Sequence, residues 1–256
     1  MIGYGRLGKI LAKQWSLHHQ IIVSSPSLHD EKLKNNIQTT NSNITDLDVD
    51  LIILAVKPFL IHDILKEILP HLKPNAPIIS LAAGITLEQI QAPHHPIVRA
   101  MPNINAEVQA SATLLLKNQL LSSLQQSQIE ELFSTIGSID WVNDDECLDM
   151  GTILAGSGPA FVFYLMASFK EAAEKLGMEE TLAQKLITQT FLGSAKLAQQ
   201  KEVHFQELIQ AVVSPKGTTA AALDILAQHQ VSQSLKEAIY GAWQRVLNIR
   251  NQASND

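Results

Sequence analysis

Gly3-Tyr4-Gly5-Arg6-Leu7-Gly8 is a G-x-G-x-x-G run near the start of the chain. Glycine at these spacings lets a backbone turn sharply and approach a pyrophosphate, whose charge then rests on the N-terminus of the next helix. Alone the motif is weak, because glycine triplets of this kind occur in many tight turns. Here Leu7, Ile10, Leu11 and Trp15 follow at helical spacing, and the apolar run Ile21-Ile22-Val23 comes next. That context favours a dinucleotide site over a structural turn. One feature departs from the pattern. Only Met1 and Ile2 precede Gly3, where a strand of ~5–6 residues is usual, so the first strand is expected to be truncated or very short.

The end of the second strand bears on the choice of nucleotide. NAD binders usually place an Asp or Glu there for the ribose 2′-hydroxyl. This chain has Ser24-Ser25-Pro26-Ser27, small hydroxyl donors without charge. They leave room for a 2′-phosphate, so the expected cofactor is NADP, with NAD as the alternative; an ordinary Ser/Pro turn is the competing reading. Other reactive residue types have plainer readings. His94-His95, between Pro93 and Pro96, reads as a solvated loop, with no third metal ligand spaced nearby. His18-His19 suits a helix C-terminus. Cys147 reads as a packed thiol, and Lys57, just before Pro58, as a surface or cofactor-edge lysine.

The elements that must position these residues alternate in the first half. Apolar runs at 21–23, 51–56, 78–81, 97–98 and 113–116 read as strands covered on both faces, hence a parallel sheet. Pro58 to Leu72 reads as a helix with Leu60, Ile64, Ile68 and Leu69 on its inner face. After about Asp144 the pattern is helical, with breaks at Gly177 and at Ser214-Pro215-Lys216-Gly217. Ala160 to Phe169 is apolar nearly all round, which in so small a helical half points to an intertwined dimer. The expected fold is an α/β Rossmann-like dinucleotide-binding domain over residues 1–143, then an all-α dimerisation and substrate-binding domain over 144–256 that ends in a polar tail from Asn251.

Composition narrows the partners. The chain has 256 residues and a net charge of −6, which argues against a phosphate-backbone footprint and so against nucleic acid. A lone cysteine excludes an internal disulfide framework and a Cys-rich zinc module. No apolar run approaches the ~20 residues of a membrane span, and no secretion signal is apparent at Met1. A soluble, cytoplasmic protein is expected.

Five further motifs occur in order: Ala55-Val56-Lys57-Pro58, Ser80-Leu81-Ala82-Ala83-Gly84-Ile85, Arg99-Ala100-Met101-Pro102-Asn103, Ala155-Gly156-Ser157-Gly158-Pro159-Ala160-Phe161 and Ser214-Pro215-Lys216-Gly217-Thr218-Thr219. Together they resemble the pyrroline-5-carboxylate reductase family, over essentially the whole chain. The resemblance implies NAD(P)H-dependent reduction of the cyclic imine 1-pyrroline-5-carboxylate to L-proline, in a homodimer or a ring of dimers. On these positions it implies that Gly3, Gly5, Leu7 and Gly8 line the pyrophosphate turn. Ser24 and Ser25 would lie by the adenosine ribose and its 2′-phosphate, with Val56, Lys57 and Pro58 at the adenosine edge. Ala82, Met101, Pro102 and Asn103 would approach the nicotinamide ribose and ring. Ser214, Lys216, Gly217, Thr218 and Thr219 would form the substrate loop, with Thr219 positioned at the imine nitrogen.

Two departures stand out. The family continues Met-Pro-Asn with Thr-Pro-Ala, where this chain has Ile104-Asn105-Ala106. Its substrate loop has glycine where this chain has Lys216, a strained position if φ is positive. That lysine pairs with the substrate carboxylate or fills the pocket. A reductase of another cyclic imine or keto acid, and a non-catalytic regulatory relative, are the alternative functions.

Overall fold

The computed structural model describes residues 1–29, 31–32, 36–43, 47–201 and 203–253, with backbone alone at 31, 32, 252 and 253. The end of the polar tail therefore lies outside the described residues. Two compact units emerge: Met1–Pro159 together with Ala242–Asp256, and Ala160–Gly241.

The first unit holds α1 (Arg6–Trp15), β1 (Ile21–Ser24), β2 (Glu31–Lys32), β3 (Ile37–Thr40), β4 (Ile52–Leu54), α2 (Ile61–Ile68), β5 (Ile78–Ser80), β6 (Ile97–Met101), β7 (Ser111–Lys117), α3 (Ser123–Ser134) and β8 (Gly137–Trp141). β3 runs parallel to β1, with Ile21 opposite Ile37, and β2 is antiparallel to β3. The other five strands lie in the order β4-β5-β6-β7-β8. β4, β5 and β6 are parallel, as their apolar runs predict. β7 is antiparallel to β6, against the expectation of a wholly parallel sheet. The connection from Met101 to Ser111 is too short for the crossover of a dozen or more residues that a parallel return needs.

The short first strand is Ile2 alone, bridging in parallel to Ser24 on β1 and Leu54 on β4. The Ile2 N–H donates to the Ile53 carbonyl at 2.8 Å and its carbonyl accepts from Ala55 at 2.7 Å; the Gly3 N–H donates to Ser24 and the Ser24 N–H to Met1, both at 2.8 Å. These bonds join the two groups of strands through the one residue between them.

Alternate residues of β4, β5 and β6 fill two cores. Ile53, Ile79 and Val98 pack with Leu11 and Trp15 of α1 and Ile129 and Phe133 of α3. Ile52, Leu54, Ile78 and Ile97 pack with α2 on the other face. The Trp15 indole closes the first core, donating to the Leu132 carbonyl at 3.0 Å and meeting Phe133 edge-on at 5.2 Å between ring centroids. The inner face of α2 is Ile61, Ile64, Leu65 and Ile68, while Leu60 is exposed. Pro58 begins a 3₁₀ turn over Pro58–Leu60, so the α-helical phase starts at Ile61, later than the sequence pattern suggests.

Residues after Asp144 form α4 (Asp145–Gly151), a π-helical turn (Thr152–Ser157), α5 (Gly158–Lys175), α6 (Glu180–Gln200), α7 (Phe205–Gln210), α8 (Thr218–Gln228) and α9 (Val231–Ala253). The compact units divide at Pro159, beyond the change of composition near Asp144, because α4 and the π turn bury Leu148, Asp149 and Ile153 within the first unit. The last part of α9, from Ala242, belongs to that unit as well.

In the helical unit α5 and α6 are tied by Lys170, which bonds Glu180 at 2.5 Å, and by Phe169 edge-on to Phe191 at 5.6 Å. Among its described residues the one buried hydrophobic is Ala183; Val162, Phe163, Tyr164, Leu186, Ile225 and Tyr240 are exposed. Taken alone this unit has no interior. The helical run Asp145–Lys175, longer than any apolar stretch in the sequence pattern, is long and apolar enough by length and composition to cross a membrane.

The Met1 amine is buried beside the Ile22 carbonyl, to which it donates at 2.6 Å, and burial lowers its pKa to about 5 from the ordinary 8.0. Between those values the unfolded chain binds a proton that the folded chain does not, so stability climbs as pH rises from 5 to 8 and levels above. For a polypeptide starting at Met1 the climb is at most about 4 kcal/mol. Urea unfolding across this range measures it, and placing four β-branched residues before Met1 should abolish the slope and raise the midpoint.

Candidate active site

The residues expected to face a cofactor lie at or just beyond the C-terminal ends of the strands. Gly3 has φ +103°, and a Cβ there would stand 2.5 Å from the Ala55 carbonyl oxygen and 3.0 Å from Val56 Cγ1. This position requires glycine, and it brings the first turn against the residues leaving β4. At Gly8 a Cβ would lie 2.6 Å from the Gly3 carbonyl oxygen, so this glycine lets α1 pack onto the turn. Gly5 differs: it is the N-cap of α1, exposed and extended at φ −70°, and a Cβ on it would meet nothing within 4 Å. The first turn of α1 has no acidic residue and no side-chain cap, and Arg6 opens it. Free N–H groups facing open space next to a glycine suit a pyrophosphate, so the residues fit a dinucleotide. Leu7, half-buried, anchors the turn on the sheet core.

At the end of β1, Ser24 is buried and its hydroxyl donates to Asn43 Oδ1 at 2.5 Å. Asn43 in turn donates from Nδ2 to Glu67 on α2 at 2.8 Å. Ser24 is thus committed inward, where the sequence reading gave it a free hydroxyl. Ser25 is half-exposed, its Oγ 3.5 Å from that of exposed Ser27. Asn43 was not legible as a site residue, since nothing in its sequence neighbourhood shows that it folds back onto Ser24. Past β4, Val56 and Pro58 are half-buried, and exposed Lys57 lies with its ammonium 5.8 Å from the Phe59 ring centroid.

Next along the sheet, Ala82 is buried after β5, its N–H 3.3 Å from Ser80 Oγ. Gly84 follows at φ +72°, with Ile249 of α9 packed where a Cβ would be. Met101, Pro102 and Asn103 are buried at the end of β6. Asn103 is held on three sides. Its N–H donates to Ser111 Oγ at 2.9 Å, its Nδ2 to the Ala155 carbonyl at 2.9 Å, and its Oδ1 accepts the Asn105 N–H at 2.9 Å. The last bond caps a short 3₁₀ helix over Ile104–Val108 and needs an N–H at residue 105, which a proline would lack. The departure at Ile104-Asn105 therefore swaps a rigid ring for a hydrogen bond.

Ala155 and Gly156 belong to the π turn, a wider coil of a kind frequent at functional sites. Gly151 crowds against the sheet, where a Cβ would meet Leu114 at 2.0 Å; Gly156 has room, and a Cβ on it would stand in ordinary contact, 3.9 Å from Met101 Sδ.

The substrate-loop residues lie in the helical unit. Ser214-Pro215-Lys216-Gly217 is a tight turn closed by the Gly217 N–H on the Ser214 carbonyl at 3.0 Å. Proline in its second position and φ +60° at Lys216 in its third fit a type II turn, whose third residue favours glycine. Lys216 occupies this left-handed conformation at a cost of about 1 kcal/mol, and its side chain is exposed. Gly217 is the N-cap of α8, and a Cβ on it would stand 2.3 Å from Ser214 Oγ. Thr218 and Thr219 form the first turn of α8, which has neither a side-chain cap nor an acidic residue, so its N–H groups suit a carboxylate. Thr219 is half-buried, Ser214 and Thr218 exposed.

Two other sequence readings change. His95 is buried with Nδ1 3.0 Å from the Ala76 carbonyl oxygen, so only His94 fits a solvated loop. Cys147 is only half-buried, in the first turn of α4.

A glycine turn at strand ends, an uncapped helix N-terminus and a coreless helical unit define a dinucleotide-dependent oxidoreductase with a dimerisation region. Residues 1–84 match the family described as NADP oxidoreductase coenzyme F420-dependent, and residues 145–249 match pyrroline-5-carboxylate reductase dimerisation. A pyrroline-5-carboxylate reductase of Pseudomonas aeruginosa is 36% identical over 208 residues, spanning 80% of this chain and 76% of its own. The structure of a pyrroline-5-carboxylate reductase from Coxiella burnetii is 32% identical and superimposes with a TM-score of 0.85, over 97% of this chain and 96% of its own. A Plasmodium falciparum pyrroline carboxylate reductase, solved with NADP bound, shares the fold at a TM-score of 0.88 and 24% identity, over 97% and 96% of the two chains. The chain belongs to the pyrroline-5-carboxylate reductase family.

Gly5 and Gly8 separate cofactor binding from folding. Gly5→Val fills open space at a relaxed backbone, so stability should stay within about 1 kcal/mol while the Kd for NADPH rises at least about tenfold. Gly8→Ala should instead destabilise the fold by about 1–3 kcal/mol. Thermal unfolding and NADPH fluorescence titration measure the two effects.

Proposed function

We propose that this protein reduces 1-pyrroline-5-carboxylate to L-proline, the closing step of proline biosynthesis, with NADPH as the preferred hydride donor. The observation that carries the reading is the combination, in one chain of this family, of the open glycine turn at α1 and the uncapped, cation-flanked N-terminus of α8. The first suits a pyrophosphate, the second a small carboxylate. Half-exposed Ser25, exposed Ser27 and the absence of an acid directly after β1 support a 2′-phosphate there.

NADPH, when bound, supplies the hydride that adds to the imine carbon. The C=N π pair moves onto nitrogen, and a protonated imine so becomes the neutral secondary amine of proline. No side chain has to form a bond to the substrate; the task is to hold it in line. The N–H groups of α8 and the Lys216 ammonium hold the carboxylate, and the Thr219 hydroxyl orients the ring nitrogen. Ala82, Met101 and Asn103 form the wall for the nicotinamide. Because the helical unit has no interior of its own, we infer a homodimer that covers the exposed faces of α5, α6 and α9.

Turnover of NADPH by the purified protein with 1-pyrroline-5-carboxylate, against NADH and against a six-membered cyclic imine, tests this reading; a folded protein without turnover on any of them would overturn it. Thr219→Val should lower kcat/KM about 10–100-fold and leave the NADPH Kd unchanged. Lys216→Gly should raise KM for the imine about 3–10-fold at constant kcat, because the lost attraction acts on bound substrate and transition state alike. A lower KM would mean that the lysine obstructs the pocket.

A further inference from the structure

Arg99 is the one charged residue on β6, and its side chain is 1% exposed. Its Nη1 donates to Asp145 Oδ1 at 2.5 Å and its Nη2 to Asp149 Oδ1 at 2.6 Å, and Asp149 is fully buried. Asp145 Oδ1 also accepts the Leu87 N–H at 3.1 Å, and Arg250 Nη1 on α9 lies 3.9 Å from Asp149 Oδ2. Arg99 Nε and Asp149 Oδ2 are buried without a hydrogen-bond partner. Buried ion pairs contribute little to folding compared with apolar residues of the same volume, and this one leaves Arg99 Nε without a hydrogen bond and Asp149 Oδ2 with only the longer ionic contact to Arg250. Stability is a poor reason for its presence.

Its connections give a better one. From Arg99, β6 runs directly to Met101 and Asn103. From Asp149, α4 runs into the π turn, whose Ala155 carbonyl holds Asn103 and whose Gly156 lies beside Met101. From Leu87, the chain leads back through Gly84 to Ala82. The segments that wall the nicotinamide end therefore converge on one buried ion cluster. We infer that Arg99 and Asp149 are positioning residues for hydride transfer, holding β6 and the π turn in the register that orients Met101 and Asn103. The inference rests on the reductase reading above.

Asp149→Asn keeps the shape and removes one charge, and Arg99→Met/Asp149→Leu replaces the pair by apolar side chains of similar size. Both should bind NADPH and the imine with Kd and KM within about twofold of wild type, yet lose kcat about 10–100-fold. The primary isotope effect with 4-deuterated NADPH should grow as hydride transfer becomes limiting. The double variant should retain the wild-type Tm or exceed it. Wild-type kcat and isotope effect in a folded double variant would overturn the inference, as would failure of both variants to fold, since the cluster would then serve the fold. If the wild-type protein does not turn over the imine, the reductase reading falls separately. Bound NADPH fluorescence then decides: altered nicotinamide emission at unchanged Kd in the double variant upholds the positioning role, and identical emission overturns it.

Discussion

The cofactor face depends on the backbone of one residue. Ile2 bridges Ser24 on one side and Leu54 on the other, and the bonds around it fix where Gly3, Ser24 and Ala55 stand relative to each other. Each such bond contributes only about 1 kcal/mol, so a single bridging residue is a slender join for the centre of a sheet. Burial of the Ile2 side chain in the α2-facing core reinforces it. The penalty falls on the Met1 amine, which sits among apolar strands where a peptide N–H would be at ease. Because Gly3 can turn only where the Ala55 carbonyl leaves room for its hydrogen, the dinucleotide turn inherits the geometry of that join.

Farther across the sheet, at the same strand ends, the same logic works through side chains. Asn103 answers to Ser111, Asn105 and Ala155 at once, so β6, the 3₁₀ helix and the π turn share one amide. A hydrogen-bonded Asn105 constrains the backbone beside Asn103, as a proline ring at that position would by other means. Lys216 has no equivalent compensation. It stays in a left-handed conformation that glycine would adopt freely, and its exposed side chain places a charge just before the N-terminus of α8.

Much of this was legible in the sequence, and the failures have physical causes. The α1 stripe and the runs at 51–56, 78–81 and 97–98 are clear because both faces of the sheet are covered, and the nearly all-apolar 160–169 segment is clear because α6 covers only part of its helix and leaves Val162, Phe163, Tyr164 and Phe169 exposed. β3 and β8 were missed. Ile37–Thr40 has one large apolar residue, and Gly137–Trp141 is an edge strand whose residues are all partly or fully exposed. Helix α3 was also passed over, although Ser122 and Gln125 form a capping box that announces it. The glycine turn and the Ser214–Thr219 loop are each contiguous in sequence, so a motif comparison reaches their residues. The inward turn of Ser24 and the partnership of Arg99 with Asp149, fifty positions away, depend on tertiary contacts that no local pattern records.

The residues that the family resemblance assigns to the site share one chemical character. Among Gly3, Gly5, Leu7, Gly8, Ser24, Ser25, Val56, Lys57, Pro58, Ala82, Met101, Pro102, Asn103 and the Ser214–Thr219 loop there is no histidine, aspartate, glutamate or cysteine. Hydride transfer to an electrophilic carbon needs neither a nucleophile nor a tuned acid from the protein, so selection acts on backbone shape and on fixed dipoles. Glycines, helix N-termini and an oriented amide supply those, and each leaves a short-range signature in sequence. The acids that matter, Asp145 and Asp149, stand one layer behind the wall. Their charge is spent on Arg99 inside the fold, where it can set geometry without repelling an anionic substrate or a cofactor phosphate.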